Sequence, residues 1–141
     1  MRCNMHSILV LTSTYPRWQG DTEPAFVHQL SSQFGANYRV FVLAPHFPGA
    51  KTRETMDGVN IRRFRYFFPF GEHLAYQGGI ITNVKRNPFK LLLVPFFVIS
   101  QLVNAFILCR KHDIRLIHAH WIIPQGLIAL VLRYISRGRI P

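Results

Sequence analysis

The residues best suited to chemistry lie together late in the chain, in Ile117-His118-Ala119-His120-Trp121-Ile122-Ile123-Pro124-Gln125-Gly126. Imidazole, indole and carboxamide groups can move protons, hold a metal, stack on a ring or orient a hydroxyl. The largely apolar run Ile114 to Ile117 that leads into them reads as a buried parallel strand, and open α/β sheets place their ligands at the carboxyl ends of such strands. His118 and His120 are expected to project apart, with His118 structural and His120 facing a cleft, so they are poorly placed to share a metal. Taken alone, both are equally readable as imidazoles bonded to nearby backbone. At a ligand edge, His120 is able to orient a sugar hydroxyl or to set its carbonyl against developing positive charge, and Trp121 offers a face for a sugar ring. These groups by themselves select no reaction.

Several chemistries are excluded by what surrounds them. A dinucleotide fingerprint needs three spaced glycines directly after the first strand, and the loop there holds only Gly20. No phosphate-cradling Walker loop and no Gly-x-Ser-x-Gly elbow occurs. Cys3 and Cys109 lie too far apart in sequence for a zinc pattern or a disulfide framework, and read as reduced thiols.

The elements that must position the histidine strand follow from hydrophobic period and punctuation. Ser7 to Thr12 reads as a central strand, Ser13 to Asp21 as a loop, and a helix follows with its cap among Asp21 to Glu23 and Pro24 in its first turn. Phe26, Val27, Leu30 and Phe34 fall on one helix face, and Gly35 ends it. Tyr38 to Ala44 is a second parallel strand, joined by a right-handed crossover. After a Pro/Gly loop, Asp57-Gly58 predicts a hairpin whose outgoing arm carries Arg62, Arg63 and Arg65. Phe67 to Gly79 is irregular. Asn87-Pro88 caps an apolar helix over Phe89 to Cys109, which Pro95 is expected to kink or divide. At about 20 residues it could just span a bilayer, but a buried or membrane-lying helix is the preferred reading. Gln101 and Asn104 are expected to mark its wetter side. Asp113 to Ala119 is the last strand and Pro124 to Arg133 the last helix, and the closing Gly138-Arg139-Ile140-Pro141 resembles a turn that introduces another strand.

The 141 residues suit one domain, and a 49% hydrophobic composition with 12 Phe excludes disorder. Seventeen Lys and Arg against 6 Asp and Glu give a net charge of +11, which fits an anionic partner: nucleic acid, membrane surface or phosphorylated substrate. The basic residues are not interleaved with aromatics in a nucleic-acid motif, which disfavours that partner. The apolar run near the N-terminus is shorter than a signal-peptide core, so a cytoplasmic location is expected. The element order describes an α/β class fold, Rossmann-like and doubly wound, with a mostly parallel sheet and a β-hairpin insertion.

Ser13-Thr14-Tyr15-Pro16-Arg17-Trp18-Gln19-Gly20-Asp21-Thr22 with Phe26-Val27 resembles the opening of a family 4 glycosyltransferase. So do Val42-Leu43-Ala44-Pro45-His46, Asp57-Gly58-Val59 with Arg63-Phe64-Arg65-Tyr66, Leu74-Ala75-Tyr76-Gln77-Gly78-Gly79, Arg86-Asn87-Pro88 and His118-Ala119-His120-Trp121 with Pro124-Gln125-Gly126. The resemblance implies the N-terminal half of a GT-B architecture: an acceptor-binding domain facing a donor-binding one across a cleft. It implies a retaining, metal-independent transfer of a hexose from a UDP- or GDP-sugar, with no cofactor beyond that co-substrate. By motif, His120 would lie near the donor sugar as the catalytic-site histidine. Gly20 and Asp21 would lie beside the sugar-phosphate or acceptor, and Tyr15, Trp121 and Gln125 would line the acceptor side.

The family's next strand with its His-Gly pair, and the donor-binding domain with its basic residues and paired glutamates, have no counterpart in residues 1–141. The expectation is therefore one incomplete acceptor-binding domain without turnover of its own. Its expected partners are a lipid-linked or polysaccharide acceptor and the anionic inner face of the plasma membrane, where the basic hairpin and apolar helix would hold it. The alternative is a non-catalytic subunit or truncated relic that needs a separate donor-binding chain.

Overall fold

The computed structural model describes residues 5–23 and 25–140; the readings made for Cys3 and Pro24 lie outside them. Its elements run β1 (Ser7–Leu11), α1 (Phe26–Phe34), β2 (Arg39–Pro45), β3 (Arg53–Met56), β4 (Val59–Phe64), α2 (Gly79–Arg86), α3 (Leu93–Lys111), β5 (Ile114–Ala119) and α4 (Leu127–Ile135). The five strands form one sheet in the order β3-β4-β2-β1-β5, parallel throughout except for the β3–β4 hairpin. This is an α/β fold with helices packed on both faces of a mostly parallel sheet.

The central strands are apolar because water reaches neither face. All five residues of β1 are buried, as are all of β2 after Arg39. Alternation then sorts their side chains into two cores. Ile8, Val10, Val40 and Val42 meet Val27 of α1 on one face. Leu9, Leu11, Phe41 and Leu43 meet Phe97 and Leu108 of α3 and Ile128 and Leu132 of α4 on the other. At the hairpin, Asp57 and Gly58 both take positive φ, 47° and 79°, the geometry a two-residue turn needs to match strand twist.

Four local expectations change. Asp21 does not cap α1: its carboxylate is taken by Arg17, and the helix begins after Ala25 with no side-chain cap. Asn87 does cap as expected, its Oδ1 accepting from the Phe89 N–H at 3.1 Å, but the unit it opens is a tight turn, Pro88–Leu92, that hands over to α3. Pro95 then sits in the first turn of α3, where its missing N–H has no partner to lose. Pro124 opens the last helical stretch as expected: it follows the non-helical Ile123 and a cis Ile123–Pro124 bond, and helical backbone runs on through Gly126 into α4. The stretch expected to be irregular, Phe67 to Gly79, is so as far as Gly78 apart from one short turn, Pro69–Gly71, but the hairpin arm already ends at Phe64 and α2 begins at Gly79 in a region given no element from sequence.

Candidate functional site

β1 is the strand where the sheet changes direction. Its first connection, through α1, reaches β2 on one side, whereas the long connection through α3 reaches β5 on the other. The two crossovers lie on opposite faces, so a crevice opens between the carboxyl ends of β1 and β5, the usual ligand position of such sheets. The pairing Leu11↔Ala119 is extended by one bond, from the His120 N–H to the Leu11 carbonyl at 2.9 Å. Sequence reasoning placed the site at this edge, and the topology puts His120 and Trp121 there.

The two imidazoles do not diverge. Residues two apart on a strand share a face, and the rings of His118 and His120 stack with centroids 4.4 Å apart, both on the α1 side. Phe34 meets His118 edge-on at 6.2 Å and Phe26 meets His120 at 5.8 Å. Among the described residues no third metal-ligating side chain joins them. The Nε2 of His120 is buried and has no hydrogen-bond partner among the described residues, so it is a group that a ligand hydroxyl could satisfy.

Burial, and after it the neighbouring His118, holds the His120 pKa below the ordinary imidazole range. The folded chain therefore favours neutral His120. The stability this provides is complete above the unfolded value of about 6.5 and is lost as pH falls below it, because the unfolded chain then binds the extra proton. Thermal unfolding from about pH 7 down to about pH 5 is expected to show a falling midpoint, and His120→Gln should flatten that fall. An equal slope in the variant would remove His120 as its source.

Trp121 stands out by backbone as well as exposure. It is 56% exposed and takes φ 86°, ψ 136°, a region whose occupation costs a non-glycine residue about 1–3 kcal/mol. Its carbonyl is fixed by the Gly126 N–H at 3.1 Å, so the turn after β5 holds the indole outward. Gln125, expected beside it on the acceptor side, is instead 0% exposed, with Nε2 donating to Gln101 Oε1 at 3.3 Å. Gln101 in turn donates to the Thr12 carbonyl at 3.1 Å. That corrects the expected wetter side of α3, since Gln101 faces the core and ties α3 to the end of β1.

The first loop is also organised from within. Tyr15, expected to line the acceptor side, is 0% exposed, and its hydroxyl lies 2.5 Å from His28 Nδ1. His28 Nε2 reaches Asp57 Oδ2 at 2.8 Å, so the chain Tyr15–His28–Asp57 fastens this loop and α1 to the hairpin turn. Desolvation raises the Tyr15 phenol well above its usual range. Asp21 accepts from Nε and Nη2 of Arg17, each at 2.8 Å, and that contact first of all holds its carboxyl far below the normal carboxylate range. Gly20 is exposed and takes φ 78°, which lets the loop close so that the Asp21 N–H meets the Trp18 carbonyl at 3.2 Å.

Of the expected site residues, His120 and Trp121 meet at the strand end and Gln125 lies beneath them. Gly20 and Asp21 shape the loop after β1, and Tyr15 is interior to it. Trp18, exposed and covered by the Arg17 guanidinium at 4.6 Å, was not singled out beforehand. An aromatic next to a Gly-Asp turn was its available signal. Nor was His28, whose role depends on a contact with the distant hairpin. Comparison of the chain with protein-family models, curated proteins and solved structures gave no match.

Proposed function

We propose that the chain is the acceptor-binding part of a retaining glycosyltransferase, one that moves a hexose from a UDP- or GDP-sugar to a lipid-linked or polysaccharide acceptor at the cytoplasmic membrane. The observation that carries this reading is the presence, at the strand end beside the β1–β5 crevice, of an outward indole next to a neutral imidazole whose Nε2 lacks a partner among the described residues. An indole presents a broad apolar face suited to the C–H side of a sugar ring. A buried unpaired imidazole nitrogen rewards a hydroxyl that reaches it. In this reading Trp121 sets the plane of the acceptor sugar and His120 orients a hydroxyl. Asp21, locked by Arg17, fixes the closed shape of the first loop around Gly20. Tyr15 and Gln125 act from beneath as supports. The donor would be held by a second domain or chain, and no metal or further cofactor is required.

Titration with a panel of saccharide and lipid-linked acceptors, followed by the indole N–H signal of Trp121, tests this directly. Acceptor sugars are expected to shift that signal, and Trp121→Ala or His120→Ala should weaken binding about tenfold or more. Nucleotide-sugars alone should leave the signal in place. Sugar transfer by these residues without a partner, or a Trp121 signal indifferent to every saccharide, would count against the reading.

One observation favours the alternative of a subunit working with a separate donor-binding chain. Among the described residues β5 is an edge strand with Leu116 exposed, and α4 exposes Leu127, Leu130, Tyr134 and Ile135. An open edge beside an apolar helix face suits pairing with another strand. Pull-down of a donor-binding partner that restores transfer would separate this case.

A further inference from the structure

We infer that the amino edge of β5 carries a second binding site, a cavity suited to a small organic anion with a phosphate or carboxylate head on a compact apolar body. The inference does not rest on the reading above. The cavity lies at the opposite end of β5 from His120, about 17 Å along the strand. Its volume is about 610 Å³, the size of an ordinary small-molecule site. It opens where α3 and α4 both end and β5 begins.

The floor of the cavity is apolar. Ile114, Leu132 and Ile140 are buried there, and Phe106 and Ile135 form more open walls. The Cys109 thiol also lines it, and desolvation pushes that thiol's pKa up to about 11. At neutral pH the thiol is therefore uncharged. An apolar body placed on this floor displaces water from apolar surface, which favours its binding.

The rim is basic. Arg110, Arg115, Arg137 and Arg139 line it, against the single carboxylate of Asp113. Asp113 is bonded to Arg115 at 2.9 Å, whereas Arg110, Arg137 and Arg139 have no acidic partner among the described residues. Basic side chains also complement the negative carboxyl end of a helix. Two such ends offset about half a charge each, so about two positive charges remain in excess around one concavity. A concave site with low-dielectric walls concentrates that field. Guanidinium forks match the paired oxygens of a phosphate or carboxylate, and their planes stack on aromatic faces. A second copy of the chain would instead set like charges against each other.

The turn that presents two of these arginines points the same way. α4 closes with bonds from the Gly138 N–H to the Arg133 carbonyl at 3.0 Å and from the Arg137 N–H to the Tyr134 carbonyl at 3.1 Å. That pattern requires left-handed backbone at position 137, where glycine is the usual occupant. Arg137 takes it, with φ 54°. A glycine there would close the helix without steric cost, so a long cation is held at the lip of the cavity against local preference. The Arg139 N–H then bonds to the Ser136 carbonyl at 3.2 Å, and the chain folds back so that Ile140 reaches the floor. A residue kept in strained backbone beside a cavity is accounted for by a ligand that it meets.

Four probes test the proposal: 1-naphthyl phosphate, 1-naphthoate, 1-naphthol and inorganic phosphate. Binding is read from the rate at which iodoacetamide alkylates Cys109 in the full chain carrying Cys3→Ser. The naphthyl phosphate or the naphthoate is expected to slow alkylation severalfold at saturation, and the tighter of the two identifies the head. Naphthol and inorganic phosphate at the same concentration should leave the rate nearly unchanged. Arg137→Gly with Arg139→Gln should raise the apparent Kd about tenfold or more. Both side chains are exposed, and glycine relieves the left-handed backbone, so the unfolding midpoint should not fall. Lys85→Gln with Arg86→Gln removes the same charge elsewhere and should leave binding as it was. No protection by either naphthyl anion, equal protection by naphthol or by inorganic phosphate, or equal weakening in both double variants would each overturn the proposal. So would a dimer by light scattering that Arg137→Gly with Arg139→Gln disperses, since the cavity would then belong to a second copy. The Trp121 signal reports the other edge of the sheet, so failure here leaves sugar recognition standing.

Discussion

Glu72→Ala is expected to lower unfolding free energy by about 3–5 kcal/mol, the usual consequence of stranding one member of a buried polar pair. Glu72 is wholly buried and its Oε2 lies 2.5 Å from His46 Nδ1, itself buried. The other ring nitrogen, His46 Nε2, faces the Ala50 carbonyl at 3.1 Å. A carbonyl only accepts, so Nε2 carries a hydrogen and a single further proton lies between Nδ1 and Oε2. Glu72 Oε1 accepts the Tyr66 N–H at 3.3 Å, so one carboxyl joins the loop after β2 to the segment after β4. Alanine removes every one of these partners. Glutamine keeps an acceptor for Tyr66 and a donor for Nδ1, so Glu72→Gln should retain most of the stability, and His46→Leu with Glu72→Leu should recover part of the loss. Urea unfolding at unchanged slope reads the differences. An unshifted midpoint in Glu72→Ala would show that the pair adds nothing.

The same residues explain what sequence could and could not convey. β1, β2 and the hairpin were legible because burial on both faces writes a continuous apolar run, and because Asp57-Gly58 supplies the positive φ values a tight turn requires. The segment from Arg65 to Gly78 has no period to read. Its order comes from distant bonds: Tyr76 hydroxyl to the Pro45 carbonyl at 2.8 Å, and Asn83 Nδ2 to the carbonyls of Leu74 and Tyr76 at 3.0 and 2.7 Å. At the site, the strand-end position of His120 was legible from the apolar run before it. The burial of Tyr15 was not, because it depends on His28 and Asp57, which only the folded chain brings to it. Gln101 was conspicuous as a polar residue in an apolar helix, but its face was set by a distant partner, the Thr12 carbonyl just past β1.

That partner makes Gln101→Leu the second large effect. The Thr12 carbonyl fixes Gln101 with Nε2 toward β1, which leaves Oε1 for Gln125 Nε2. Gln125 is thereby oriented too, and its Oε1 is the group left without a partner among the described residues. Leucine at position 101 strands both the Thr12 carbonyl and Gln125 Nε2, for a loss of about 2–6 kcal/mol, since each unsatisfied buried group costs about 1–3 kcal/mol. Gln125→Leu should cost less, because it strands Gln101 Oε1 while also removing the unpaired Oε1. Once Gln101 is leucine, adding Gln125→Leu removes a stranded amide, so the two changes together should cost less than their sum by about 0.5–3 kcal/mol. The expected effect reaches the surface through the turn that follows. Gln125 adjoins Gly126, whose N–H holds the Trp121 carbonyl, so Gln101→Leu should also broaden the indole signal of Trp121 although the two side chains need not touch. Strict additivity of the two substitutions, or a Trp121 signal unmoved by Gln101→Leu, would mean that the glutamine pair braces α3 alone and leaves the strand-end indole to be held by its own turn.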